Sequence, residues 1–496
     1  MKKITINKLW IALLGMCLCF AMSCQKALDI NNDPNKPATA TPKLVLPTAQ
    51  VGMALAVGHW NYNGSMWAQY WTGGQGVGTA NLERYNMTGS DVETAWSHAY
   101  SKALADMNFL IKSDQPVYAG MGKIMSAYLY QMLVDLFGDV PYSEALKGAP
   151  EDGGILAPKF DDPKAIYGSL INMLDEGIND VQETGVLIES PGSEDLLYGG
   201  NINKWIAFAN TIKLKLYVRA DSTAKAIALI NSGVEFINSS SIAKVDFTES
   251  AKNANPLYTR FDGSGLGMYY VAAAASIDYL KSVRDPRIDA LYTKPTAGDS
   301  TGVHVGIRSG QVNIDAEYEL VGGESADDRR KEYSNISSTV YNFNIPVYFI
   351  TASESKFLQA EAVIKNGGDA TTLVNDGIQE SFDIFNMSIE GPGYISELAF
   401  NSSATTGDQL DFLGIQKWIA MNGIQMIEGW LETVRFDRAS HFIFSQAGGI
   451  FTNPTQNVLG VRVYPSSFVY PTQEVASNPN TPAGRAVTDK RFWDLN

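Results

Sequence analysis

Apolar residues recur every three or four positions through most of the chain and are interrupted by proline, glycine and short polar turns, the pattern of amphipathic helices joined in series. A first helix is predicted to start near Pro42 or Leu44 and run to Val57. Asp91 caps a second, in which Trp96, Tyr100, Ala103, Met107 and Leu110 share a face. Residues Ser113 to Pro116 turn the chain, and Met121, Ile124, Tyr128, Met132 and Leu136 form the stripe of a third. Two helices joined by so short a turn make an αα-hairpin. Ile166, Leu170, Met173, Ile178 and Val181 mark another helix, Trp205, Phe208, Ile212 and Leu216 its partner, and Ile227, Ile230, Val234 and Ile237 one more. Between about Asp246 and Tyr348 the period is lost, and Tyr258, Tyr269, Tyr270, Tyr292 and Tyr341 alternate with glycine and proline. Helical spacing returns from Glu354 to Ala362 and from Gln416 to Phe436. The expected fold is mainly α, a tetratricopeptide-like scaffold of helical hairpins with long irregular insertions on one face, although no strict repeat of about 34 residues is present.

The third helix stops in DLFGDVPYSEAL, Asp135 to Leu146. Gly138 can take the left-handed conformation past a helix end, and Pro141 cannot continue a helix. Asp135 and Asp139 bracket the stop, where they can hydrogen-bond the turn's amides; a catalytic carboxylate pair is the other reading. The chain's densest aromatic run follows the first helix: Trp60, Tyr62, Trp67, Tyr70 and Trp71, preceded by His59 and ending in GGQGVG at 73–78. Flat indole and phenol faces stack on the C–H face of a pyranose, and nearby amides reach its hydroxyls. These five rings, with Tyr269 and Tyr270, are the candidate ligand contacts; core or partner-facing positions are the alternative.

Catalytic motifs are few. Gly298 to Gly302 matches G-x-S-x-G but lacks the flanking strand and helix of a nucleophile elbow, so it reads as a loop. His59, His98, His304 and His441 are far apart in sequence with no metal-ligand spacing, and no catalytic residue is assigned. No cofactor is expected, and no motif supports a structural calcium among the Asp and Asn loops. Glu361, Glu428 and Arg435 recur at helical spacing and read as ion pairs locking neighbouring helices.

Lys2, Lys3 and Lys8 precede an apolar run from Leu9 to Ala21, the length of a signal-peptide core and too short to span a bilayer. Ala21-Met22-Ser23-Cys24 then reads as a lipobox, with cleavage before Cys24 and diacylglycerol on its thiol. Cys17 and Cys19 leave with the leader, so the mature chain has no disulfide. Residues 1–23 are the signal peptide, 24–42 a lipidated tether and 43–496 one domain. Within that domain, 43–245 is the hairpin scaffold, 246–348 an irregular insertion, 349–445 the C-terminal helices and 446–496 an irregular end. With 38 Lys plus Arg against 53 Asp plus Glu and no long basic run, nucleic acid is excluded as a partner.

DLFGDVPYSEAL resembles the hallmark of the SusD/RagB family of nutrient-binding outer-membrane lipoproteins. LDINNDPNKP from Leu28, NKWIAFANTIKLKL around Trp205, ESKFLQAEA, QKWIAMNGIQMIEGWLETVRF and VYPSSFVYPTQEVASNPN from Val463 resemble its other motifs, in order. Lys215 replaces a more usual arginine, Ser466 and Ser467 stand where arginine is usual, and the Gly-x-Pro after Arg435 is missing, the marks of a divergent branch. The resemblance implies a surface-exposed outer-membrane lipoprotein with no enzymatic activity. Such a protein binds an oligosaccharide or other nutrient and delivers it to a SusC-like TonB-dependent transporter. The alternative is a surface glycoside hydrolase on a helical scaffold.

Overall fold

The computed structural model describes residues 40–73, 80–248, 253–262, 270–310, 331–438 and 441–494. Cys24 with its leader, the LDINNDPNKP motif, residues 74–78 and Tyr269 lie outside them.

Helix α1, Pro42–Trp67, runs ten residues beyond the predicted end and is the axis of the molecule. Leu46, Met53, Val57, Trp60, Asn61, Met66 and Trp67 bury it on nearly every side, so it lacks the single apolar stripe that sequence periodicity detects. Its glycines let neighbours approach: a Cβ at Gly58 would collide with Pro256, and one at Gly64 with the Ile427 backbone. Strand β1, Trp71–Gly73, follows.

Helix α2, Gly89–Ser97, starts in a capping box formed by Thr88 and Asp91, continues through a π-helical turn at His98–Leu104 into α3, Ala105–Ile111, and packs on α1. Helix α4, Pro116–Phe137, ends at Gly138, whose φ is +81°, and Pro141 lies in the extended β2, Val140–Pro141, which pairs with β3, Phe160–Asp161. Helices α5, Pro163–Val181, and α6, Ile202–Arg219, pack against α4 in turn, while α7, Thr223–Asn231, stops before Val234 and Ile237.

The 246–348 stretch holds more regular structure than its sequence suggests, with α8, Pro256–Asp262, and α9, Ala274–Ser282. Strand β4, Ala243–Val245, leads into it, and β5, Tyr270–Ala272, pairs antiparallel with β1 (Trp71↔Ala272, Gly73↔Tyr270). Strand β6, Val347–Ile350, closes it against β4. Helix α10, Ala352–Lys365, forms a hairpin with α11, Thr371–Asp383, and α12, Gly391–Leu398, packs on α11. The span from Gln416 to Phe436 is not one helix. Gly423, with φ +74°, separates α13, Thr406–Met421, from α14, Met426–Phe436. Among the described residues, the main hydrophobic core joins buried residues from Val45 to Trp493, and two smaller clusters lie apart from it, one around Leu214 and Leu358 and one around Val271 and Ile307.

A buried ion network crosses that core. Lys215 bonds Glu354 at 2.8 Å and Glu428 at 2.9 Å, so the lysine serves where arginine is more usual. Arg219 reaches Asp135, Glu428 and Glu432; Lys417 holds Glu432 at 2.6 Å, and Arg435 grips Glu361 through two bonds of 2.5 and 2.6 Å. Asp135 therefore does not cap the turn after α4. It is fully buried and also accepts from Tyr167 at 2.5 Å and Trp493 at 2.7 Å. The turn's carbonyls are served by Arg491, which donates to Asp135 O and Leu136 O at 2.7 Å.

Candidate functional site

The predicted ring cluster is core. Trp60, Trp67, Tyr70 and Trp71 are at most 1 % exposed, and Tyr270 is nearly as buried. Trp67 lies edge-on to Trp430 at 4.9 Å and to Phe468 at 5.3 Å, and its indole N–H donates to Leu82 O at 3.0 Å. Tyr70 stacks on Trp418 at 5.4 Å and donates to Trp418 O at 2.5 Å. Rings covered on both faces offer none to a sugar, which corrects the assignment of these residues as ligand contacts. The physical reason is the extension of α1: its glycines bring neighbouring chains close instead of exposing the indoles.

Tyr62 is different, because it sits at the edge of this core. The Arg260 guanidinium lies 4.4 Å from its ring centre, and Tyr270 meets it edge-on at 6.2 Å. Burial pushes the Tyr62 phenol above its ordinary value, so it stays a neutral hydroxyl at physiological pH. Arg260 belongs to α8, which is seated by Pro256 against Gly58. Asn255 fixes the start of that helix: its Oδ1 accepts from Leu257 N at 2.8 Å, its Nδ2 donates to Ile345 O at 2.8 Å, and its own N–H donates to Phe343 O at 2.7 Å. That clamp brings Tyr258 beside Tyr341 (5.3 Å) and Phe343 (5.9 Å), and all three rings are half-buried. Trp71 backs Tyr341 edge-on at 5.9 Å. The buried Glu83 accepts from Gly73 N at 2.7 Å, Gly310 N at 2.9 Å and Thr72 Oγ1 at 2.5 Å, which ties the insertion to β1.

Partly exposed phenol and phenyl rings can cover the apolar face of a ring-shaped ligand, and a phenol hydroxyl can hydrogen-bond its rim. Tyr258 and Tyr341 stand in the aromatic-rich insertion but are not among the predicted contacts, and Phe343 carries no motif; the three come together only through the Asn255 clamp.

The other chemistry-bearing clusters are structural. His304 hydrogen-bonds Ser334 Oγ at 3.0 Å and Asp289 Oδ1 at 2.8 Å, a Ser-His-Asp chain that sequence separation did not suggest. Ser334 is fully buried, however, and Asp289 is the exposed end, so the hydroxyl is withheld from any substrate. Ser300 of the G-x-S-x-G match lies in turns with no helix after it. Among the described residues, Asp408, Asp411 and His441 place three ligand-type atoms within 4.8 Å of one another. Arg438 already neutralises Asp411, and calcium asks for roughly six to eight oxygen ligands, so this set does not make a calcium site.

A model of SusD-like proteins, described as starch-binding and associating with the outer membrane, matches residues 34–471. The chain belongs to the SusD-like family. Solved structures share the SusD-like fold. A chitin-binding protein is 24% identical with a TM-score of 0.72, over 92% of this chain and all of its own. A SusD/RagB family protein from Bacteroides thetaiotaomicron is 20% identical with a TM-score of 0.71, over 92% of this chain and 99% of its own. A chitin-binding SusD homologue from Flavobacterium johnsoniae is 18% identical with a TM-score of 0.71, over 90% and 99%. No curated protein matches the sequence. Among the described residues of this SusD-like chain, no helix is long and apolar enough to cross a membrane.

Proposed function

We propose that this protein is a lipid-anchored, outward-facing outer-membrane protein that captures a glycan at the Tyr258–Tyr341–Phe343 rim and passes it, chemically unchanged, to a SusC-like TonB-dependent transporter. The observation that carries the reading is the set of half-buried rings Tyr258, Tyr341 and Phe343, on a scaffold whose family is described as starch-binding and whose solved relatives include chitin-binding proteins. Lipidation at Cys24 follows from the lipobox, and the transporter from the family.

Calorimetric titration against a panel including chitin and starch oligosaccharides tests the reading. Tyr258→Ala and Tyr341→Ala are each expected to weaken the bound glycan by about 1–2 kcal/mol, roughly five- to thirtyfold, with the melting temperature little changed. A panel without binding overturns it. Shortened glycan in a chromatographic assay overturns it in favour of a surface hydrolase. Affinity isolation of the lipidated protein from detergent-solubilised outer membranes is expected to recover a stoichiometric TonB-dependent transporter, and isolation of the protein alone removes the delivery step.

A further inference from the structure

A concavity of about 390 Å³ opens between α5, the C-terminal ends of α6, α10 and α14, and Phe492–Trp493. Its size falls within the roughly 300–1,000 Å³ of small-molecule sites. Ile171, Tyr217 and Phe492 are half-buried on its walls, so they present apolar surface to whatever enters. None of the glycan-facing rim residues lines it.

The charges around it do not cancel. At the floor, Arg219 and Arg435 are held by the carboxylates of the ion network. Lys365 bridges Asp221 at 3.0 Å and Glu361 at 3.2 Å, and Arg438 pairs with Asp411. Lys164 and Lys225 remain, and among the described residues neither has a carboxylate partner, in a chain whose net charge is −15. Lys225 Nζ lies 6.0 Å from the Tyr217 ring centre, which keeps its ammonium at the wall of the cavity. Arg219 lines the cavity, but its side chain is fully buried in the ion network and is not offered to the open space.

We propose that this cavity binds a small organic anion: a carboxylate or sulfate on a ring-sized body, its acidic group beside Lys164 and Lys225, its ring against Tyr217 and Phe492. An acidic sugar unit and a free aromatic acid share this chemistry. The site stands independently of glycan capture at the rim.

The test is calorimetric titration of the full-length protein with D-glucuronate and with benzoate, each beside its neutral counterpart, D-glucose or benzyl alcohol. At least one acid is expected to bind about tenfold more tightly than its neutral counterpart, and to weaken as salt rises. A response to glucuronate alone assigns acidic sugars, and a response to benzoate assigns free acids. The double variant Lys164→Gln/Lys225→Gln, both exposed, is expected to lose about tenfold in affinity with an unchanged melting temperature. Gly168→Trp fills the cavity from a helical position whose Cβ meets nothing within 4 Å, and is expected to abolish binding. The proposal falls if acid and neutral compound bind alike, if neither acid binds, or if both variants retain the parent affinity. Neutral oligosaccharide binding at the rim is unaffected by either variant, so failure here and failure of glycan capture are read separately.

Discussion

Gly64 sits where α1 crosses the Ile427 backbone, and a methyl group there has no room. Gly64→Ala is therefore expected to cost about 1–3 kcal/mol through overpacking, despite the better helix propensity of alanine. A lowered urea midpoint with unchanged slope is the readout. Trp67 shows the complementary case. Its indole fills the space between Trp430, Phe468 and Tyr85, so Trp67→Ala is expected to lose about 3–5 kcal/mol of stability and not to change glycan affinity selectively. The sequence shows a dense aromatic run beside glycines, and two arrangements satisfy it: rings exposed by a loosened backbone, or rings buried where glycines admit close neighbours. Composition alone does not separate them, because the deciding fact is the position of Ile427 and Pro256, hundreds of residues away in the chain.

At the level of the elements, the ion network makes stability depend on pH. Burial alone would raise the Glu361 carboxyl, but Arg435, Lys365 and Lys417 overcome it and hold the group down to about 2 from an ordinary 4.5. Glu432 is held well below its ordinary value in the same way, whereas burial pushes Glu428 up. A carboxylate depressed in the fold contributes stability that is present above its unfolded value and lost as pH falls towards its folded one. The protein is therefore expected to weaken from about pH 5 downwards, with Glu428 titrating in the opposite sense and softening the slope. Urea unfolding at about pH 7, 5 and 3.5 checks this, and Glu361→Gln is expected to lower stability at neutral pH and flatten the acid limb. The helices carrying this network were legible because stripes such as Met121–Leu136 follow a 3.6-residue period, and the Glu361–Arg435 pair because both lie on long helices. The break at Gly423 was not legible, since apolar spacing runs through it and only the fit against Val340 marks the turn.

Across the whole molecule, ordered motifs pointed to the SusD-like family before any contact was known, and the fold agrees. The site was less legible because its rings come from the insertion, where periodicity is absent, and from a clamp at Asn255 that no pattern announces. The C-terminal segment returns to a carboxylate in the first third of the chain. Trp493 donates to Asp135, and Arg491 closes the end of the same helix. Trp493→Phe is expected to cost about 1–3 kcal/mol by leaving Asp135 short of a donor. A chain stopped at residue 486 is expected to lose cooperative unfolding altogether, which limited proteolysis and circular dichroism will report. During synthesis this closure is the last event. Asp135 and Arg219, which pair with each other, leave the ribosome long before Glu428, Glu432 and Trp493, so the emerging chain holds only part of the network that surrounds Arg219. Such a chain gains little by settling early, and it completes its core only when the segment around Trp493 arrives.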